Sequence, residues 1–203
     1  MNLEKVDVIV RWTGGLFSIL TLGIVLYGIW RGTQRQAGRI LGFNVGWLRS
    51  TWFYLFSTAV FLGLSYLGWI PLPWVVSPII RSLMLSIGAL LYFPGLSLVL
   101  WGRLALGKNY FVSTALGAQL FAGHQLVTKG PFSIMRHPMY TGLILAALGS
   151  LLIYSTWTTL VFSCFAPLIT IRAWREELAL AEEFGKEWQE YKKHVHAFFP
   201  RRR

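Results

Sequence analysis

The stretch from Arg136 to Glu177 reads RHPMYTGLILAALGSLLIYSTWTTLVFSCFAPLITIRAWREE and consists of two apolar runs with a polar cluster at each end. The runs cover Pro138–Ile153 and Thr156–Trp174, and the two residues between them carry no charge. A helix needs about 20 residues to span a bilayer, so both runs are short for spans and each can cross only once. We therefore expect a tight helical hairpin that brings the two polar clusters to the same side of the membrane.

Three more apolar runs, at Val8–Trp30, Trp52–Trp69 and Arg81–Trp101, precede this hairpin. Hydrophobic residues make up 55% of the 203 residues and charged residues only 13%, which is typical of a membrane protein. The sequence predicts an all-α integral membrane protein with about five transmembrane helices. We expect a single membrane-embedded domain over residues 1–203, with three spans in residues 1–101 and both polar clusters in residues 102–203.

The distribution of basic residues predicts the orientation. The Arg31–Ser50 loop and the Gly102–His137 segment each carry four basic residues and no acid, whereas Ile70–Ile80 carries no charge. Short loops rich in Lys and Arg stay in the cytoplasm. We therefore expect the amino terminus outside and the carboxyl terminus inside.

The net charge of +11 comes from basic residues beside the predicted spans and from Arg201–Arg203, rather than from a basic soluble domain. Residues so placed attract the headgroups of anionic lipids. We expect anionic membrane lipids as partners and no nucleic acid, and the sequence indicates no protein partner.

The first polar cluster lies at the start of a helix. Pro138 suits the first helical turn and is expected to hold His137 in an extended geometry just outside it. The free N–H groups of a helix start attract a carboxylate or phosphate. A histidine embedded in a membrane is usually kept for a proton, a metal or a ligand. Arg136 has a simpler interpretation, in which its side chain reaches out to lipid phosphate.

The second polar cluster follows the last apolar run directly. Arg172 and Glu176 are four residues apart and share a helix face, while Glu177 lies about 100° around the helix. A solvated ion pair is the simplest interpretation. Their depth near His137 favours another, in which a carboxylate holds a cationic or hydroxyl-rich ligand. No pattern of Cys, His and acidic residues completes a metal site.

Two other segments flank the hairpin. Gly107–Lys129 is too apolar for a free loop, and we expect it to fold back over the helix ends as a lid. After a helix break at Gly185, Lys186–Val195 places Trp188 and Tyr191 on one face and its lysines elsewhere. This pattern predicts an amphipathic helix in the membrane interface.

Taken together, the polar residues form a series of motifs: His124-x-Leu126-Val127-x-x-Gly130, Arg136-His137-Pro138-x-Tyr140-x-Gly142, Arg172-x-x-x-Glu176-Glu177-x-x-Leu180 and Phe184-Gly185-x-x-Trp188-x-x-Tyr191. The combination resembles the isoprenylcysteine carboxyl methyltransferases and the wider phospholipid methyltransferase superfamily. The resemblance covers about Gly107 to Pro200, and the amino-terminal spans match only in being hydrophobic.

The resemblance implies a membrane enzyme that uses S-adenosyl-L-methionine from the cytosolic side and takes a lipid-like or prenylated acceptor from the bilayer. It implies that residues 102–203 form the cofactor-binding catalytic half of the domain. It also implies that Arg172 binds the acceptor and that Arg172, Glu176 and His137 are the catalytic residues. The residues implied to bind the cofactor are His124, Gln125, Leu126, Val127, Phe132, His137, Pro138, Met139, Tyr140 and Glu176. Phe132 stands where methyl-esterifying members commonly carry a tyrosine, which leaves a stacking surface without the hydroxyl.

Three alternatives stay open. A phospholipid N-methyltransferase acting on phosphatidylethanolamine belongs to the same class and differs in needing a base. Sterol reductases, which bind NADPH, also resemble the chain at Arg136-His137-Pro138-x-Tyr140, but they are longer and lack the paired glutamates. A non-enzymatic lipid-binding membrane protein explains the spans and leaves the membrane-embedded His137 without a purpose.

Overall fold

The computed structural model describes residues 2–34, 37–42, 50–110, 117–121 and 125–200, and the structural statements below refer to these residues. In chain order the elements are α1 (Leu3–Thr33), β1 (Ala37–Gly42), α2 (Thr51–Leu67), α3 (Pro78–Leu106), β2 (Gly117–Phe121), α4 (Pro138–Tyr154), α5 (Trp157–Phe165), α6 (Ile169–Phe184) and α7 (Lys186–His194).

Five apolar helical segments build the molecule. Three stretches are long and apolar enough to cross a membrane, namely Leu3–Gly32, Pro78–Asn109 and Trp157–Phe184. The last of them contains α5 and α6, which are joined by a 3-10 turn at Ala166–Leu168. α2 and α4 are apolar but shorter. The prediction of an all-α integral membrane protein is confirmed.

The centre of the bundle is the antiparallel pair α3 and α4. Glycines allow the two backbones to touch: a Cβ on Gly142 would lie 2.5 Å from the carbonyl oxygen of Gly95, and one on Gly149 would lie 2.5 Å from the backbone nitrogen of Tyr92. Small residues are the usual means of close helix packing in membranes, where apolar side chains gain little by leaving lipid. α1 also contacts α3, at Gly28 against the buried Arg103.

The turn between α4 and α5 is as short as the sequence predicts. Ser155 adopts a left-handed conformation, with φ at 51°, and so ends α4. Thr156 then caps α5 in a capping box with Thr159, in which each side chain accepts from the other residue's backbone N–H. The turn is also bound to the α2–α3 connection, because the Leu72 N–H donates to the Ser155 carbonyl at 2.8 Å.

An arginine side chain connects three helices at this end of the bundle. Arg81, at the start of α3, donates to the carbonyl oxygens of Leu152 at 3.0 Å and Ile153 at 2.6 Å, and it forms an ion pair with Asp7 of α1. The last carbonyls of a helix lack partners within the helix, so a guanidinium placed there satisfies them. The contact joins α1, α3 and α4 at the end opposite His137.

The sequence did not predict a small β-ribbon. β1 and β2 pair antiparallel, with Ile40 opposite Gln119 and Gly42 opposite Gly117. The ribbon links the α1–α2 connection to the Gly107–Lys129 segment, which was predicted to form a lid. Residues 111–116 and 122–124 of that segment lie outside the described residues.

The carboxyl-terminal helices follow the predicted break. α6 ends at Gly185, whose φ of 49° favours glycine, and α7 begins directly after it. α7 is amphipathic, but its apolar face packs on the protein: Trp188 is only 2% exposed, and the Tyr191 hydroxyl donates to the Phe132 carbonyl at 2.6 Å. The predicted interfacial helix is thus also a wall of the protein interior.

Candidate functional site

The two polar clusters of the sequence meet in the folded chain. The hydroxyl of Tyr140 on α4 donates to Oε1 of Glu176 on α6 in a short hydrogen bond. Nε2 of His137 lies 3.0 Å from Oε1 of Glu177. The chain runs in opposite directions in α4 and in the α5–α6 segment, so the start of α4 meets the middle of α6.

Both the backbone and the ring of His137 are held by protein groups. Its φ of −122° and ψ of 57° differ from the extended geometry that was predicted, because its backbone N–H donates to the Ala197 carbonyl at 2.8 Å. Its ring stacks on Tyr140, at a centroid distance of 5.6 Å, and on Phe198, at 5.4 Å. The imidazole is 6% exposed and therefore sits in a fixed orientation.

Arg136 is bound within the protein. Its NH2 lies 2.8 Å from Oε1 of Glu177, and its NH1 donates to the Val195 carbonyl at 2.7 Å. The side chain is 10% exposed. The interpretation of Arg136 as a residue that reaches lipid phosphate is therefore wrong, since its guanidinium is occupied at the end of α7.

Arg172 has the more open position. Its Nε lies 3.6 Å from Oε1 of Glu176, and its guanidinium carbon lies 5.8 Å from the centre of the Tyr140 ring. The side chain is 28% exposed. A guanidinium at this distance from an aromatic face gains a modest cation–π attraction.

These side chains surround a cavity of about 380 Å³. Nine of the positions that the resemblance assigns to cofactor or substrate line it: Gln125, Leu126, Val127, Phe132, His137, Met139, Tyr140, Arg172 and Glu176. Pro138 is fully buried behind the wall, as expected for the first residue of α4. His124 lies outside the described residues. The structure brings these residues together around one cavity. Their roles in binding and catalysis stay predictions.

Several wall residues carried no recognisable signal in the sequence. Val25 and Ile29 of α1 line the cavity, although their span is a uniform apolar run. Tyr110 lines it beyond the end of α3, with the Arg103 guanidinium 4.1 Å from its ring centre. Burial raises the pKa of Tyr110, so its hydroxyl stays protonated near neutral pH. The carboxyl-terminal Trp188 and Tyr191, which were assigned to the membrane surface, also line the cavity.

Tyr191 is a further hydrogen-bonded group at this wall. Burial is the main cause that raises its pKa to about 12. Its neutral hydroxyl donates to Phe132, as described above, and so ties α7 to the turn that precedes α4. Within the described ranges, no group of three or more His, Cys, Asp or Glu side chains is placed to hold a metal ion.

These features define an α-helical integral membrane protein with a ligand-sized cavity at one end of its bundle, where an acid, a guanidinium and aromatic rings converge. Residues 83–187, just over half of the chain, match the model of a family described as phospholipid methyltransferase. The chain therefore belongs to the phospholipid methyltransferase family, which confirms the resemblance drawn from its motifs.

Curated relatives share a shorter segment. A probable protein-S-isoprenylcysteine O-methyltransferase of Oryza sativa subsp. indica is 33% identical over 86 residues, which cover 38% of this chain and 41% of the relative. The protein-S-isoprenylcysteine O-methyltransferase of Schizosaccharomyces pombe is 34% identical over 79 residues, covering 38% of this chain and 34% of the relative. The chain thus spans about two fifths or less of the length of these relatives.

Proposed function

We propose that the protein is a membrane methyltransferase that uses S-adenosylmethionine and methylates the carboxylate of a lipid-like or prenylated acceptor. The meeting of Glu176 and Arg172 at one cavity carries this proposal. The carboxylate suits a cationic methyl donor, and the guanidinium suits an anionic acceptor. The names of the curated relatives support the same reaction class.

The cavity wall fits S-adenosylmethionine, which when bound supplies an activated methyl group on a sulfonium. Cavities of about 300 to 1,000 Å³ are usual for small-molecule sites, and this one is within that range. Glu176 provides a negative charge, and the rings of Phe132 and Tyr140 provide faces that attract cations and stack on a base. Gln125–Val127 lies outside helix and strand in the described structure, so its backbone N–H and C=O groups take part in no helical or strand hydrogen bonding.

The acceptor side of the proposal rests on Arg172. A carboxylate is ionised near neutral pH, so no general base is needed for its methylation. The protein's task is then to align two reactants and to exclude water. Arg172 is expected to hold the carboxylate, and the apolar side chains of Val25, Ile29 and Leu143 suit a hydrocarbon chain beside it.

Titration calorimetry of the purified protein with S-adenosylmethionine tests the proposal. Replacing Glu176 by alanine removes the cavity's acid, and we expect affinity to fall by about tenfold or more. Glu190→Ala is the matched control, because Glu190 lies exposed on α7 and pairs with Lys193. The proposal fails if well-folded protein binds no S-adenosylmethionine, or if Glu176→Ala and His137→Ala bind it as the unaltered protein does.

An amine-bearing phospholipid is the second candidate acceptor, and the description of the matched family favours it. An amine must lose a proton as it is methylated, so His137 would then serve as a base. Membrane lipids incubated with the radiolabelled methyl donor separate the two acceptors. Mild alkali releases label from an ester and leaves a methylamine intact.

A further inference from the structure

We propose that Glu177 is a positioning residue, which acts on the cavity by fixing His137 and Arg136 rather than by touching a ligand. The inference rests on the proposed function, since it concerns the binding of S-adenosylmethionine. It gives the two adjacent glutamates of α6 separate tasks.

The side chains of Glu176 and Glu177 diverge. Successive residues of a helix point about 100° apart, so the two carboxylates cannot share one environment. Glu176 lines the cavity and accepts from Tyr140. Glu177 is absent from the described cavity wall, and its carboxylate is 12% exposed and turned toward Arg136 and His137.

One carboxylate oxygen of Glu177 contacts both His137 and Arg136. Its Oε1 lies 3.0 Å from Nε2 of His137, 2.9 Å from Nε of Arg136 and 2.8 Å from NH2 of Arg136. Its Oε2 lies 3.6 Å from Nζ of Lys192. An ionised carboxylate only accepts hydrogen bonds, so Nε2 of His137 carries the proton in this contact. Glu177 therefore fixes both the protonated nitrogen and the direction of the imidazole edge.

The orientation of the His137 imidazole affects the cavity because the imidazole stacks on Tyr140, which lines the cavity. The His137 ring is nearly parallel to Tyr140, at an interplanar angle of 12°, and Tyr140 in turn donates to Glu176. Phe198 also stacks on the imidazole, at an interplanar angle of 29°. Stacking alone is equally compatible with the ring flipped by 180° about its Cβ–Cγ bond, and the hydrogen bond from Nε2 to Glu177 selects one of these two orientations.

Arg136 provides the second connection. Its guanidinium, fixed by Glu177, binds the Val195 carbonyl just beyond the end of α7. α7 carries Trp188 and Tyr191, which line the cavity. The Arg136 guanidinium also lies 5.8 Å from the centre of the Trp188 ring. Loss of Glu177 would therefore loosen two walls of the cavity while leaving its acid in place.

Three variants separate positioning from ligand contact. Glu177→Gln keeps an oxygen where Oε1 is, so it can still accept from His137 and Arg136, and we expect affinity for S-adenosylmethionine to stay within about threefold. Glu177→Ala removes the acceptor and is expected to weaken affinity by about tenfold. Glu177→Asp keeps the charge on a shorter side chain and is expected to resemble alanine. Glu190→Ala is again the matched control.

The imidazole itself gives a readout that needs no ligand. In protein labelled with nitrogen-15 at histidine, we expect the Nε2 signal of His137 to move in Glu177→Ala and Glu177→Asp and to stay near its original position in Glu177→Gln. His137→Ala identifies the signal. If Glu177→Ala does not fold, the aspartate and glutamine variants make the same comparison.

The outcomes are distinct. If affinity follows charge, with aspartate retained and glutamine lost, Glu177 contacts the cationic ligand and the inference is overturned. An unchanged His137 signal in a folded Glu177→Ala or Glu177→Asp protein also overturns it. If the unaltered protein binds no S-adenosylmethionine, the proposed function fails, and the imidazole signal still decides whether Glu177 positions His137.

Discussion

Arg172 and Arg175 lie on the same helix less than one turn apart, yet they face different surroundings. Arg172 contacts Glu176 at the cavity, whereas Arg175 is exposed on the surface of α6. Three residues separate the two side chains by about 60° around the helix, and the edge of the cavity falls between them. This difference makes the pair a natural comparison for the role of a guanidinium at this site.

Replacing Arg172 by glutamine is expected to lower kcat/KM for a carboxylate acceptor by about 100-fold, because a charged, two-pronged hydrogen-bond donor is lost. The affinity for S-adenosylmethionine is expected to change by less than about fivefold. Transfer of radiolabelled methyl groups and calorimetry measure the two effects. Arg175→Gln should leave both unchanged, and an equal loss in the two variants would argue against a substrate contact.

At the level of the elements, the contact of Arg81 with the end of α4 should contribute to stability. Replacing Arg81 by alanine removes the donors to Leu152 and Ile153 and leaves Asp7 without this ion pair. We expect a loss of about 2 kcal/mol, measured as a lower midpoint of thermal or denaturant unfolding in detergent.

Arg11→Ala is the control for that variant, because Arg11 also contacts Asp7 but is 40% exposed. Its pair should contribute roughly 0.5 kcal/mol. Equal midpoints for the Arg81 and Arg11 variants would show that the carbonyl contacts add nothing to stability.

The glycines between α3 and α4 provide a second test. A methyl group on Gly149 would meet backbone atoms of Tyr92 and Gly88 that cannot move aside. Gly149→Ala is therefore expected to cost about 2 kcal/mol of unfolding free energy. Gly63 of α2 has nothing within 4 Å, so Gly63→Ala should be neutral or stabilise by up to ~1 kcal/mol. A Gly149→Ala protein as stable as the control would contradict the close packing.

The sequence predicts the helices better than their ends. α4 begins at Pro138 as predicted, because proline suits a first turn, and it ends at the predicted turn. α3 starts three residues earlier than predicted, at Pro78, and contains the charged Arg81 that had marked its boundary. The helix can include the charged Arg81 because Asp7 and two carbonyl oxygens bind its guanidinium.

The motifs predict which residues converge at the candidate site, and the roles of these residues stay predictions. His137 and Glu176 stand in recognisable patterns, and the hairpin between them predicts their meeting. The pairing of β1 with β2 depends on residues far apart in the chain, and no local pattern identifies either strand. The contribution of Val25 to the cavity could not be predicted either, since one apolar residue of a span resembles the next.

At the scale of the whole molecule, the chain runs back and forth between the two ends of the helical bundle. Asp7, Arg81 and Ser155 lie at one end, and His137 and Arg172 lie at the other. We propose that the cavity end faces the cytoplasm, because the connections near it carry the unbalanced basic residues.

Cysteine labelling tests this orientation in a Cys164→Ala background. Val75 is fully exposed in the uncharged α2–α3 connection, and Glu190 is exposed on α7. We expect Val75→Cys to react with an impermeant maleimide in intact cells and Glu190→Cys to react only after permeabilisation. The reverse pattern would place the cavity outside.

The backbone contacts of His196 and Ala197 with Arg136 and His137 have a consequence for biosynthesis. The helices α1 to α6 are complete before these residues are made, so the membrane part can insert while His137 still lacks its backbone partner. The cavity wall can close only when the chain beyond α7 has left the ribosome. A nascent protein of this kind would therefore reside in the membrane for a time before it is able to bind a ligand.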